Sequence, residues 1–136
     1  MVEISVRYEG DLRCSARHGP SGSTLVTDAP VDNHGKGESF SPTDLLAAAL
    51  PACMMTIMGI VAAREGIDLR GMTATTTKVM STDAPRRIAS LHTNITLPIA
   101  ADHPHRGKLE QAAHTCPVHK SLRESIEADV TFMYQG

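Results

Sequence analysis

Two cysteines carry the chemistry open to this sequence. Cys53 lies in the middle of Leu45–Ala63, a stretch without a single charged side chain. Cys116 opens the run Cys116-Pro117-Val118-His119, far down the chain. A thiol on an apolar helix, met by a second thiol through folding, suits redox chemistry in an apolar pocket. One sulfur is oxidised and the other condenses with it.

Each cysteine also has a plainer reading. Free Cys is among the most buried residue types and packs as a small hydrophobe, which alone accounts for Cys53. Cys53 is remote from a helix N-terminus, so its reactivity needs a cation or donors from elsewhere in the fold. Cys116 precedes a proline suited to the first helical position, which puts Cys116 at the N-cap. There the helix dipole and free N–H groups favour a thiolate, although Cys116 also serves simply to end a helix. His114, Cys116 and His119 contain a partial zinc spacing, Cys-x-x-His. No second pair completes four ligands, and no metal is expected. Cys14 stands alone and reads as a bystander. Asn33, His34, Lys36 and Glu38 directly precede the apolar stretch, either as a solvated loop or as a source of charge for its thiol.

The elements that must position these residues follow from periodicity and punctuation. Ile4, Val6 and Tyr8 alternate with polar residues, which predicts a half-buried strand. Turns at Gly10-Asp11 and Gly19–Gly22 separate it from strands at Arg13–Arg17 and Thr24–Thr27, an antiparallel meander. Asp28–Phe40 reads as a polar loop, functional or mobile. Ser41-Pro42-Thr43-Asp44 starts a helix: Ser41 caps it, Pro42 sits at N1 and Asp44 completes a capping box. That helix runs to Arg64-Glu65 and ends at Gly66. Pro51 in its interior costs about 3 kcal/mol unless the helix kinks. Strands follow at Met72–Met80 and Arg87–Leu97, then helices from His103 through Ala113 and from Val118 to Glu124. Alternation over Ile126–Tyr134 closes the chain as a strand. This order is α+β, with antiparallel sheets segregated from helices in one domain, residues 1–136.

Composition narrows the function. Net charge is -2, there is no Trp, and Phe and Tyr number two each, so there is no basic field and stacking platforms for nucleic acid are scarce. Leu45–Ala63 is long enough to cross a membrane, but it is rich in Ala, interrupted by Pro51, Thr56 and Gly59, and lacks a basic flank. A buried central helix is the expectation. Its lack of a polar face means that one small sheet cannot cover it, which predicts a dimer. The first residues do not read as a signal peptide, and three cysteines fit a reducing cytoplasm.

Two runs of residues resemble a known family. Phe40-Ser41-Pro42-Thr43-Asp44-Leu45-Leu46-Ala47-Ala48-Ala49, reaching Ala52-Cys53-Met54, is similar to the central-helix motif of the OsmC/Ohr family. Ala113-His114-Thr115-Cys116-Pro117-Val118 resembles its second cysteine motif. The resemblance implies an OsmC-like fold, an intertwined homodimer with sheets around the central helix, and thiol-dependent reduction of organic hydroperoxides. It implies that Cys53 attacks the peroxide and that Cys116 resolves the sulfenic acid as a disulfide. It also implies recycling by a lipoyl-type or other thiol reductant, with no metal or bound cofactor. Typical members hold an Arg beside the first thiol with a Glu. This chain has Thr43 where that Glu usually stands, so Glu38 is the candidate substitute, and Arg13 and Arg17 are the candidate arginines. Pro51 stands where relatives usually have Gly. The pattern is closest to the OsmC-like branch, for which a pocket binding a small apolar ligand or sensing redox state is the alternative function.

Overall fold

The alternation of the first residues becomes a three-stranded meander in the computed structural model, which describes residues Met1–Gly136. β1 (Ile4–Gly10), β2 (Arg13–His18) and β3 (Thr24–Asp28) pair antiparallel in that order. The register sets Ile4, Val6 and Tyr8 opposite His18, Ala16 and Cys14, so the apolar residues gather on one face. That face has no cover within the chain: Ile4, Val6 and Tyr8 are 61%, 65% and 63% exposed. These strands belong to a compact unit, Met1–Leu46, and the remainder forms a second, Ala47–Gly136.

The segment after β3 is tied down rather than loose. A single 3-10 turn spans Val31–Asn33. The N–H groups of Asn33 and Gly35 both donate to the Pro30 carbonyl at 2.9 Å, and Gly37 N–H donates to Ala29 O. Gly35 passes so close to Ala29 that an added Cβ would fall 1.7 Å from its carbonyl oxygen, so only glycine fits.

α1 (Pro42–Arg64) begins and ends as its sequence dictates. Ser41 N–H donates to Asp44 Oδ2 at 2.9 Å, and Asp44 N–H donates to Ser41 Oγ at 3.1 Å. Two orphan donors are thereby satisfied at once. At the other end Gly66 takes φ +68°, Ile67 N–H reaches Ala62 O and Gly66 N–H reaches Ala63 O. This is a Schellman closure. α1 continues through Pro51 without interruption. Leu50, Met54 and Met58 are fully buried on the same side, at about 1.5–3 kcal/mol each, which outweighs the ~3 kcal/mol proline cost.

The partner of that buried stripe is a second sheet. β4 (Thr73–Met80), β5 (Ile88–Leu97) and β6 (Glu127–Tyr134) lie in that order. β4 and β5 are antiparallel, but β5 and β6 are parallel, which corrects the expectation of wholly antiparallel sheets. Alternation looks the same in either direction, so the sequence pattern does not distinguish them. A parallel pair needs a crossover, and α2 (Arg106–Ala113) and α3 (Pro117–Ser121) supply it. α2 starts three residues after His103, because Ala100–His105 is spent on turns. α3 stops at Ser121 rather than Glu124, since Leu122 is already extended. Leu91, Ile95, Leu97, Leu109, Ala113 and Cys116 join the α1 stripe in one core.

Only one face of α1 is covered within the chain. Leu46, Ala49, Ala52, Thr56, Ile60 and Ala63 are exposed, so the buried central helix of the sequence reading is half-buried here. Replacing Ser41 by Ala is expected to lower stability by about 1 kcal/mol through loss of the cap. Urea denaturation should show a lower midpoint with an unchanged slope.

Candidate functional site

The two motif cysteines meet in the second unit. Cys53 projects from α1 three residues after the buried Leu50 and packs, half-buried, at the edge of the core. Cys116 is the N-cap of α3 and is fully buried. Cys53 is the neighbouring thiol that acts on Cys116. Cys116 Sγ accepts the His119 N–H at 3.4 Å and lies 4.0 Å from the Leu50 carbonyl oxygen. Both cysteines are free thiols.

The N-cap position of Cys116 emerges as expected, but its electrostatic consequence does not. The N–H groups of His119 and Val118 favour the thiolate. Burial opposes them and dominates, and the neighbouring Cys53 thiol adds to it, so the Cys116 pKa is raised. At neutral pH Cys116 is a protonated thiol. Exposure separates the two thiols: Cys53 is half-buried and the more accessible, and Cys116 is sealed.

His114 and His119 do not join Cys116 in a ligand group. His114 packs edge-on against Phe132, and no three His, Cys, Asp or Glu side chains converge as metal ligands.

The candidate Arg and Glu meet in the first unit. Arg13, at the start of β2, is ion-paired with Glu38. It also reaches Asp28 Oδ2 at 3.4 Å, the residue directly across the β2–β3 ladder. Arg17 points to the same face of β2 but is exposed and joins no ion pair. Geometry thus separates two arginines that the sequence left equivalent.

Asp28 is the residue that sequence reasoning missed. Its Asp-Ala-Pro context reads as an ordinary turn, yet it is 1% exposed. Its Oδ2 accepts the Glu38 N–H at 3.0 Å, and its own N–H donates to Phe40 O. The Glu38 N–H and the Arg13 charge hold the Asp28 pKa below the ordinary carboxylate range. The stabilisation from a carboxylate of lowered pKa is complete above its unfolded value and is lost as pH falls through the lowered one. Asp28 therefore clamps both the arginine and the loop at neutral pH. Cys14, also on β2, donates its N–H to Thr27 Oγ1 and takes part in no thiol pair.

Residues 35–131 match the sequence model of the family described as OsmC-like protein. The chain belongs to the OsmC family. A solved structure from Psychrobacter arcticus, described as an osmotic stress induced and detoxification response protein, is 48% identical. It superposes with a TM-score of 0.91 over 97% of this chain and 96% of its own. An organic hydroperoxide resistance protein OsmC from Legionella pneumophila is 14% identical, with a TM-score of 0.78 over 98% of this chain and 96% of that one. An organic hydroperoxide resistance protein from Elizabethkingia anophelis is 19% identical, with a TM-score of 0.74 over the same shares. At these lower identities the likeness is one of fold. No curated protein matches the sequence. With the OsmC-like fold shown, α1 is read as a core helix rather than a membrane span, although its length and hydropathy would permit one.

The burial difference sets an order of reactivity. Iodoacetamide should label Cys53 before Cys116 in the native protein, and both together after denaturation. Mass spectrometry of timed, quenched samples measures this, with modification of Cys116 first as the contrary result.

Proposed function

We propose that this OsmC-family protein reduces organic hydroperoxides with a two-cysteine mechanism. The observation that carries the reading is that an accessible Cys53 and a sealed, protonated Cys116 are neighbours beside an apolar core. The Cys53 thiolate attacks one peroxide oxygen, forming an S–O bond as the O–O bond breaks. The alkoxide leaves and is protonated to the alcohol, and Cys53 becomes a sulfenic acid. Cys116 then gives up its proton and attacks the Cys53 sulfur. An S–S bond forms and water leaves. An external dithiol, of the lipoyl type, returns two electrons by thiol–disulfide exchange.

The division of labour follows from access. The attacking sulfur must meet a bulky substrate, and the resolving sulfur need meet only its neighbour. The raised pKa of Cys116 keeps it protonated until the sulfenic acid is present, which limits its own oxidation by peroxide. Of the two candidate arginines, Arg13 is our choice for the activating cation, because it is the one paired with Glu38, as the resemblance implies for that role, and Asp28 adds a second carboxylate.

Under this mechanism Cys53→Ser abolishes consumption of cumene hydroperoxide with reduced lipoamide. Cys116→Ser permits one turnover and leaves a sulfenic acid on Cys53 that dimedone traps. Wild-type protein that consumes no organic hydroperoxide, with Cys53 still a free thiol, would replace the reductase by a binding module.

We also infer a homodimer, from two apolar surfaces left open: the Ile4, Val6 and Tyr8 face of the first sheet and the outer row of α1. Neither surface suits prolonged exposure to water. Light scattering at micromolar concentration should give twice the chain mass, and a monomer would refute this.

A further inference from the structure

We propose that His119 is the proton shuttle of the resolving step: its Nδ1 takes the proton from the Cys116 thiol and passes it to the departing oxygen. This role rests on the two-cysteine reading above, and it supplies the one step that reading leaves without a base. Cys116 is fully buried and is held as a protonated thiol at neutral pH. It attacks only as a thiolate. With the sulfur sealed from solvent, its proton has to leave to a group of the protein. The hydroxide leaving a sulfenic acid needs a proton in the same step. One group that accepts and then donates meets both needs.

Two independent features single out His119. Its main-chain N–H donates to Cys116 Sγ at 3.4 Å, as the third residue of a helix does to its cap. The residue is thereby fixed against the reacting sulfur. Its Nδ1 is sealed from solvent and has no hydrogen-bond partner. Nδ1 is the ring nitrogen nearer the main chain, and that main chain is what meets the sulfur. A buried polar atom without a partner is rare and calls for a cause. An acceptor kept free for a transient proton is such a cause, whereas a permanent donor at Nδ1 would block it as a base. The residue as a whole is half-buried, so Nδ1 marks its inward edge.

Other titratable groups around the sulfur do not compete. On α1, Cys53 is the titratable side chain that acts on Cys116, and it is the other reactant. At the end of α2, His114 packs against Phe132, and Glu110 is taken by Tyr134 and Arg106. Lys120, Arg123 and Glu124, on and after α3, are exposed. The step balances within the protein. The Cys116 S–H proton moves to Nδ1 of a neutral imidazole whose own proton is on Nε2. The sulfur electron pair attacks the Cys53 sulfur, and an S–S bond forms as the S–O bond breaks. The leaving hydroxide takes the proton back from the imidazolium. Water departs and His119 is neutral again.

Proton removal from Cys116 can be tested without peroxide. Reduced protein carrying Cys14→Ser is mixed with Ellman's reagent, and Cys53 takes up one thionitrobenzoate as a mixed disulfide. Cys116 then displaces it, which releases a second thionitrobenzoate and closes the Cys53–Cys116 disulfide. The first release reports Cys53, and the second reports Cys116 losing its proton. His119→Asn keeps an acceptor near the Nδ1 position without the basicity of imidazole. It should slow the second release at least about tenfold at neutral pH. It should also move the pH dependence of that release upward, because Cys116 must then ionise unaided against its burial. His119→Gln should behave alike. The proposal is overturned if the second release keeps its rate and pH profile in these variants, or if both releases slow in parallel. It is also overturned if the wild type gives no second release. A wild type that consumes no organic hydroperoxide, yet shows a second release dependent on His119, would remove the reductase and leave the base in place.

Discussion

The contact between Leu50, Met54 and Met58 on α1 and Leu91, Ile95 and Leu97 on β5 governs the rest of the second unit. All six side chains are essentially without solvent exposure. Their burial fixes the rotation of α1 about its own axis, because only one face can meet the sheet. That rotation puts Cys53 at the margin of the packed stripe rather than inside it. The same stripe brings the Leu50 carbonyl beside the Cys116 sulfur, on the far side of the chain's longest sequence gap between motifs. The placement of the two cysteines is therefore an outcome of aliphatic packing. No ion pair or hydrogen-bond network holds the two sulfurs together.

Packing also sets the chemical difference between the thiols. A helix N-terminus and complete burial act on Cys116 in opposite senses, and burial wins. A helix N-terminus lowers a thiol pKa and apolar burial raises it, and at Cys116 burial is the larger effect. In the first unit the balance falls the other way: Asp28 is equally buried but is met by an N–H donor and a guanidinium, so its charge survives. Identical burial thus produces a neutral thiol in one place and a fixed anion in another, according to what faces each group.

Much of this architecture was legible where a local rule acts alone. The Ser41–Asp44 capping box, the glycine stop at Gly66 and the strand alternation toward Tyr134 appear as read, whereas Ile4–Tyr8 forms its strand with the apolar face exposed rather than half-buried. The two cysteines were identifiable from the apolar setting of one and the proline after the other. What stayed hidden depends on long-range contact. The parallel pairing of β6 leaves no mark on its own residues. Asp28 becomes a buried clamp only because β2 delivers Arg13 opposite it. The choice between Arg13 and Arg17 rests on where the 28–40 loop returns Glu38, which polar composition does not encode. The relative access of Cys53 and Cys116 likewise reflects which helix face meets the sheet.

The parallel β5–β6 pairing has a consequence for when the thiols meet during synthesis. Both crossover helices, and Cys116 with them, lie between two strands that pair only after the last residues of β6 are available. Closing so long a loop is entropically costly and slow relative to hairpin formation. The β4–β5 hairpin and α1 can therefore form while Cys116 is still unpositioned. A nascent chain carries Cys53 and Cys116 apart, and their pairing arises as a late product of topology.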